Sequence, residues 1–218
     1  MRILVTGATG LVGQGVLREC LQATDVAHVG ALVRRGGLPT HPKLEEIVAP
    51  DFADLRAVEA RLHPFDACLY CAGMLPPGLS EPAYRRVTLD LTLQVAQALA
   101  RLNPALTFLY VSGAMSDPGS HLMPLRVKGD TERSLAALPI RTVMFRPGAV
   151  QPVEGVHSPH PARDALYRLA SPALGLGVKL APQLMTTTER MGRAMLAVLR
   201  QADPPAVVEN AEINRLGA

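Results

Sequence analysis

Thr6-Gly7-Ala8-Thr9-Gly10-Leu11-Val12-Gly13 follows the apolar run Arg2-Ile3-Leu4-Val5, so a buried strand runs straight into a glycine-spaced turn. Beyond it, Val12, Val16, Leu17 and Cys20 recur with helical spacing and predict a helix over 11–21. Strand, tight glycine turn and helix in that order form a phosphate cradle. Gly7 permits the sharp turn, Gly10 lets backbone approach a pyrophosphate, and Gly13 lets the helix pack closely on the strand. The helix start offers unpaired N–H groups and the positive end of its dipole to an anion. The residues placed around a bound dinucleotide are therefore Gly7, Thr9, Gly10, Leu11, Val12 and Gly13. A merely structural glycine turn is the alternative.

Outward from this unit the pattern repeats. Further strands are predicted at 28–33, 46–49, 66–71, 106–111 and 140–145. Helices are predicted at 54–62 with Asp54 as N-cap, at 81–102, at 125–138 and at 187–200. Strands alternating with helices imply an α/β doubly wound parallel sheet, a Rossmann fold with helices on both faces and ligands at the carboxyl ends of the strands. The pattern loosens from Gln151. A lid on the substrate side is expected over 151–185, with a short helix over 162–169. The whole chain, 1–218, reads as a single domain.

Composition agrees. Hydrophobic residues make up 48% of the 218, while aromatics are only 4% and Trp is absent, so the core must rest on aliphatic side chains. Net charge is +3. No basic run exceeds two residues, and no apolar stretch approaches the ~18 residues of a membrane span. Neither nucleic acid nor membrane is an expected partner; a small-molecule substrate is, and a homodimer is an open assembly. Three cysteines and no secretory leader pattern predict reduced thiols and a cytoplasmic location. Cys68-Leu69-Tyr70-Cys71 has redox spacing but lies in a predicted strand, and His157 and His160 lack a second ligand cluster.

The second strand ends in Arg34-Arg35, where an NAD site usually has a carboxylate for the ribose 2′-OH, ~20 residues past the glycines. A guanidinium there suits a 2′-phosphate, so NADP(H) is expected ahead of NAD(H). Two solvated loop arginines are the other reading.

The glycine motif resembles the TGxxGxxG signature of extended and atypical short-chain dehydrogenase/reductases, relatives of the nucleotide-sugar epimerases. The resemblance runs to about Gly148. It implies that Asp51, followed by Phe52, meets the adenine, though Asp51 also reads as a turn residue. It implies that Cys71-Ala72-Gly73 lets the riboses pass, and that Pro147-Gly148 presents backbone to the nicotinamide amide. Its catalytic set is a Tyr, a Lys four residues later and a Ser or Thr after the fifth strand, with the Lys also holding the nicotinamide ribose. Ser112 and Lys128 match; the Tyr position is Pro124, which has no proton to give. Thr88 stands where relatives often carry Asn. His121 and Tyr84 are candidate substitutes for the phenol, or ordinary loop and helix residues. The resemblance implies an oxidoreductase-like or epimerase-like protein acting on a small carbonyl or hydroxyl compound. The alternative is a silent NADP(H) sensor, which Pro124 favours.

Overall fold

The computed structural model describes residues 1–63, 65–74, 78–153, 181 and 183–218. Its strands are β1 (Arg2–Thr6), β2 (His28–Val33), β3 (Leu44–Val48), β4 (Ala67–Tyr70), β5 (Thr107–Val111), β6 (Arg141–Arg146), β7 (Ala149–Gln151), β8 (Met185–Thr187) and β9 (Val207–Glu209). Seven form a parallel sheet in the order β3-β2-β1-β4-β5-β6-β9, and β7 and β8 pair separately. This is the doubly wound fold the alternation predicts. The strand order reverses between β1 and β4, and the crevice at their carboxyl ends is where such folds hold ligands.

Both faces of β1 are buried, which explains its unbroken apolar run. Ile3 and Val5 join the core under α1 (Leu11–Gln22), and Leu4 joins the core on the opposite face. The first core also takes Met191, Met195 and Val198 from a C-terminal helix, and Ile213 from the chain's last one. The second core takes Val95 and Leu99.

The expected helix over 54–62 is a 3₁₀ turn (Arg56–Val58) running into α2 (Glu59–Leu62). Asp54 is not the N-cap residue, which is Leu55; its carboxylate instead accepts from the Arg56 backbone N–H at 3.1 Å and from the Arg56 guanidinium. The long helix expected over 81–102 has three parts: α3 (Glu81–Arg85), a π turn (Arg86–Asp90) and α4 (Leu91–Leu102). α5 spans Met123–Ala136, α6 Thr188–Leu199 and α7 Asn210–Leu216. The helix expected over 162–169, and with it His157, His160, Arg163, Tyr167 and Arg168, lies outside the described residues.

Candidate dinucleotide and active site

The turn after β1 has the geometry that its glycines suggest. Gly7 sits at φ +68°, a left-handed conformation that a side chain disfavours, and its N-terminal neighbour strand is pressed against β4. A Cβ on Gly7 would lie 2.6 Å from the Cys71 carbonyl and the Ala72 nitrogen. A Cβ on Gly13 would come within 1.9 Å of the Gly7 oxygen, so helix and turn touch backbone to backbone. Gly10 differs. Its φ of −84° suits any residue, and a Cβ there would meet only the Gly7 oxygen at 3.2 Å. Its missing side chain keeps the space in front of the helix clear.

Gly10 is the N-cap of α1, and the first bond of the helix runs from Gln14 N–H to the Gly10 carbonyl at 2.9 Å. The N–H groups of Leu11, Val12 and Gly13 therefore have no carbonyl one turn earlier in the helix. The first turn of α1 carries no acidic residue. A clear cradle, free N–H groups and a positive dipole end fit the diphosphate of a dinucleotide.

Arg34 and Arg35 follow β2 directly and are exposed. A carboxylate does stand near them: Glu46 of β3 accepts from the Gly37 backbone N–H at 3.0 Å and from that of Leu38, which pins the segment after the arginines. Asp51 is exposed, and its carboxylate closes a local turn by accepting from Ala53 N–H at 2.8 Å. Phe52 turns its ring into the second core. After β4, Ala72 N–H donates to Thr6 Oγ1 at 3.3 Å, and a Cβ on Gly73 would meet nothing within 4 Å. Burial pushes the Cys68 and Cys71 thiols up, so neither is a ready thiolate.

Beyond β5 the structure gathers four of the predicted residues, Ser112, Lys128, Pro147 and Gly148. Ser112 N–H donates to the Phe145 carbonyl at 2.8 Å, and Ala114 N–H to the Pro147 carbonyl at 2.9 Å, so the Ser112 loop lies along Pro147-Gly148. Lys128, on α5, reaches across to donate to the Ser112 carbonyl at 2.5 Å. Burial pulls the Lys128 pKa from the usual 10.5 down to about 8, against an upward pull from Glu132 one turn later. Gly148 N–H is held at 2.8 Å by Asn210 Oδ1, a contact from α7 that nothing in the local sequence announces.

Pro124 occupies the first turn of α5, where a missing N–H costs the helix nothing. Neither substitute for the phenol is well set. Tyr84 is 1% exposed, and burial raises its pKa. His121 is exposed on the segment before α5. Ser112 Oγ is itself buried and donates to Ser116 Oγ at 3.0 Å, while Ser116 Oγ donates to the Gly113 carbonyl at 2.7 Å. Ser116 escaped the sequence reading. So did the pair beneath Lys128: Arg146 holds the buried carboxylate of Glu132 at 2.5 and 3.0 Å. Thr88 lies buried in the π turn, its hydroxyl near the Tyr84 phenol. Such turns often mark functional sites. No group of three or more potential metal ligands occurs among the described residues.

Residues 3–135 match the NAD dependent epimerase/dehydratase family, with the glycine turn, Ser112 and Lys128 all inside the match. The chain belongs to that family. This bears out the resemblance to extended and atypical short-chain dehydrogenase/reductases, and with it an epimerase-like, dinucleotide-dependent lineage. Among curated relatives, the mitochondrial protein FMP52 of Eremothecium gossypii is 35% identical over 153 residues, covering 69% of this chain and 66% of its own. Its Saccharomyces cerevisiae counterpart is 33% identical, with 68% and 65% covered. The chain thus spans just under two thirds of these relatives, whose names specify no activity. Those names correct the cytoplasmic expectation, because the relatives are mitochondrial by name. Unpaired cysteines mark a reducing environment and do not single out one compartment.

Among solved structures, UDP-glucuronic acid 4-epimerase from Bacillus cereus, in complex with NAD, superposes with a TM-score of 0.68 at 19% identity, covering 96% of this chain and 76% of its own. The Bordetella bronchiseptica enzyme WbmF with NAD+ gives 0.66 at 15% identity, covering 98% and 76%. At these identities the likeness establishes the fold alone.

Proposed function

We propose that the chain is an NADP(H)-dependent oxidoreductase acting on a small carbonyl or hydroxyl compound. The observation that carries this reading is the Lys128 ammonium beside Ser112, on the loop that runs along Pro147-Gly148. The turn Gly7–Gly13 would hold the diphosphate through the N–H groups of Leu11, Val12 and Gly13. Arg34 and Arg35 would take the 2′-phosphate: β2 ends in no carboxylate of its own, and the Glu46 carboxylate beside them accepts from the Gly37 and Leu38 N–H groups. When bound, the nicotinamide supplies the hydride chemistry.

The chain's own contribution is to orient the substrate oxygen and to handle its proton. Ser112 Oγ would meet that oxygen. Its hydroxyl points to Ser116 and so faces a substrate with lone pairs, which suits a hydroxyl substrate; turning away from Ser116 would let it donate to a carbonyl. With Pro124 in the tyrosine position, Lys128 Nζ is the group that can hold the proton and release it near neutral pH.

A screen of aldehydes, ketones and quinones with NADPH, followed at the cofactor's absorbance, tests the reading. The expected result is slow turnover that falls sharply in Ser112→Ala. The second reading, a silent NADP(H) sensor, is favoured by Pro124. NADPH binding with no turnover on any carbonyl would establish it.

A further inference from the structure

Asn210 opens α7 and is 3% exposed, and its amide joins two distant segments. Oδ1 accepts from Gly148 N–H at 2.8 Å, and Nδ2 donates to the Met185 carbonyl at 3.0 Å. Gly148 precedes β7 and Met185 opens β8. One side chain therefore ties the start of both strands of the small sheet to the C-terminal helix. α7 is a firm anchor: Ile213 is buried in the first core, and Asn214 also donates to the Met185 carbonyl, at 2.7 Å.

The Pro147-Gly148 turn is gripped from three directions. The Pro147 carbonyl accepts from Ala114 N–H at 2.9 Å, in the Ser112 loop. Gly148 N–H goes to Asn210, and Ala149 N–H donates to the Leu184 carbonyl at 2.9 Å. Proline has no N–H, so Gly148 carries the first backbone donor after β6, and α7 takes it. A Cβ on Gly148 would lie 2.0 Å from the Leu184 oxygen, so the turn is packed backbone against backbone.

In the proposed dinucleotide site the 2′-phosphate lies at the end of β2 and the diphosphate at the end of β1. The strand order β2-β1-β4-β5-β6 then carries the nicotinamide end onward, over β4 and toward the loops after β5 and β6. Ser112 and Pro147-Gly148 stand there. We infer that Asn210 is a positioning residue for the nicotinamide end of the cofactor. It fixes Gly148, and through the Pro147–Ala114 bond it steadies the Ser112 loop. The inference rests on the proposed NADP(H) site, and it brings the C-terminal helix, 62 positions beyond Gly148, into that site. The adenosine end, held at β1 and β2, has no part in the clamp.

Calorimetric titration of the full chain with NADPH and with adenosine 2′,5′-bisphosphate tests the inference. The bisphosphate carries the adenosine end with its 2′-phosphate and no nicotinamide. Asn210→Ala should weaken NADPH about fivefold, the worth of one ordinary hydrogen bond, and leave the bisphosphate within about twofold. Asn214→Ala gives up a bond to the same Met185 carbonyl and leaves Gly148 held. It should cost stability in urea unfolding and leave NADPH affinity unchanged. Should Asn210→Ala fail to fold, Asn210→Ser, whose hydroxyl stops short of Gly148, carries the same expectation. Three results overturn the inference: equal weakening of both ligands, an equal loss of NADPH affinity in Asn214→Ala, or NADPH affinity indifferent to a folded Asn210 variant. Each leaves wild-type NADPH binding, and so the proposed site, intact. A wild-type chain that binds NADPH no better than the bisphosphate would overturn that site, and the inference with it.

Discussion

Lys128 Nζ donates to the carbonyl of Ser112 at 2.5 Å, joining the helix after β5 to the loop that precedes it. Enclosure there has a thermodynamic consequence. The folded-state pKa of Lys128 is depressed to about 8, while an unfolded lysine titrates near 10.4. Between those values the unfolded chain binds the extra proton, so stability rises with pH across that window. Wild type should gain at most about 3 kcal/mol relative to Lys128→Met on going from pH 8 to pH 10.4, by urea unfolding. A difference that stays flat or falls with pH would show that the ammonium is not enclosed.

The Arg146–Glu132 pair lies one turn below that ammonium. Glu132 is buried, so Arg146→Met leaves its charge without a partner, at a cost of about 3–5 kcal/mol. Adding Glu132→Gln should restore most of that loss. The single Arg146→Met change should also raise the Lys128 pKa, because the Glu132 charge that already pulls it upward is no longer offset. Titration of the lysine by NMR after reductive methylation would follow the shift. Additive effects of the two substitutions would mean that the pair is not coupled.

Gly10 and Gly13 should fail in different ways. Gly13→Ala places a carbon 1.9 Å from the Gly7 oxygen, so the variant should be strongly destabilised in thermal unfolding. Gly10→Val meets only one atom, at 3.2 Å, from an ordinary backbone conformation. It should fold and lose dinucleotide binding. A folded Gly10→Val chain with undiminished NADPH affinity would displace the site from this turn.

Pro124 sets the rate in this account. Its position in the first turn of α5 accepts another residue without loss of a helix bond. Pro124→Tyr returns a phenol one turn before Lys128 and should raise carbonyl turnover by about 10²–10⁴-fold, the usual worth of a positioned acid. Lys128→Arg keeps the charge but cannot release a proton, so it should lose the wild-type rate. Unchanged turnover in both variants would remove Lys128 and the Pro124 position from the reaction.

Sequence legibility followed the reach of the interactions involved. β1, α1 and β2 were readable because their burial on both faces, or on one helical stripe, leaves an unbroken local pattern. The order of Ser112, Lys128 and Pro147, and the proline at the tyrosine position, came instead from the resemblance to the family, because no burial pattern distinguishes these loop and helix residues. β9 and α7 were not anticipated. β9 is three residues long with only Val208 buried, and it is defined by pairing with β6 across more than sixty positions. The π turn over Arg86–Asp90 interrupts a helix whose apolar spacing runs straight through it. Asn210 on Gly148 and Arg146 on Glu132 are likewise contacts made only by the folded chain.

The preference for NADP(H) tests the central claim most directly. Titration calorimetry of the wild-type chain should show NADPH binding more tightly than NADH, through Arg34 and Arg35 at the end of β2. Arg34→Ala should weaken NADPH by about 1–3 kcal/mol and leave NADH nearly unchanged. Equal wild-type affinities for the two dinucleotides, or a loss in Arg34→Ala shared equally by both, would contradict the account.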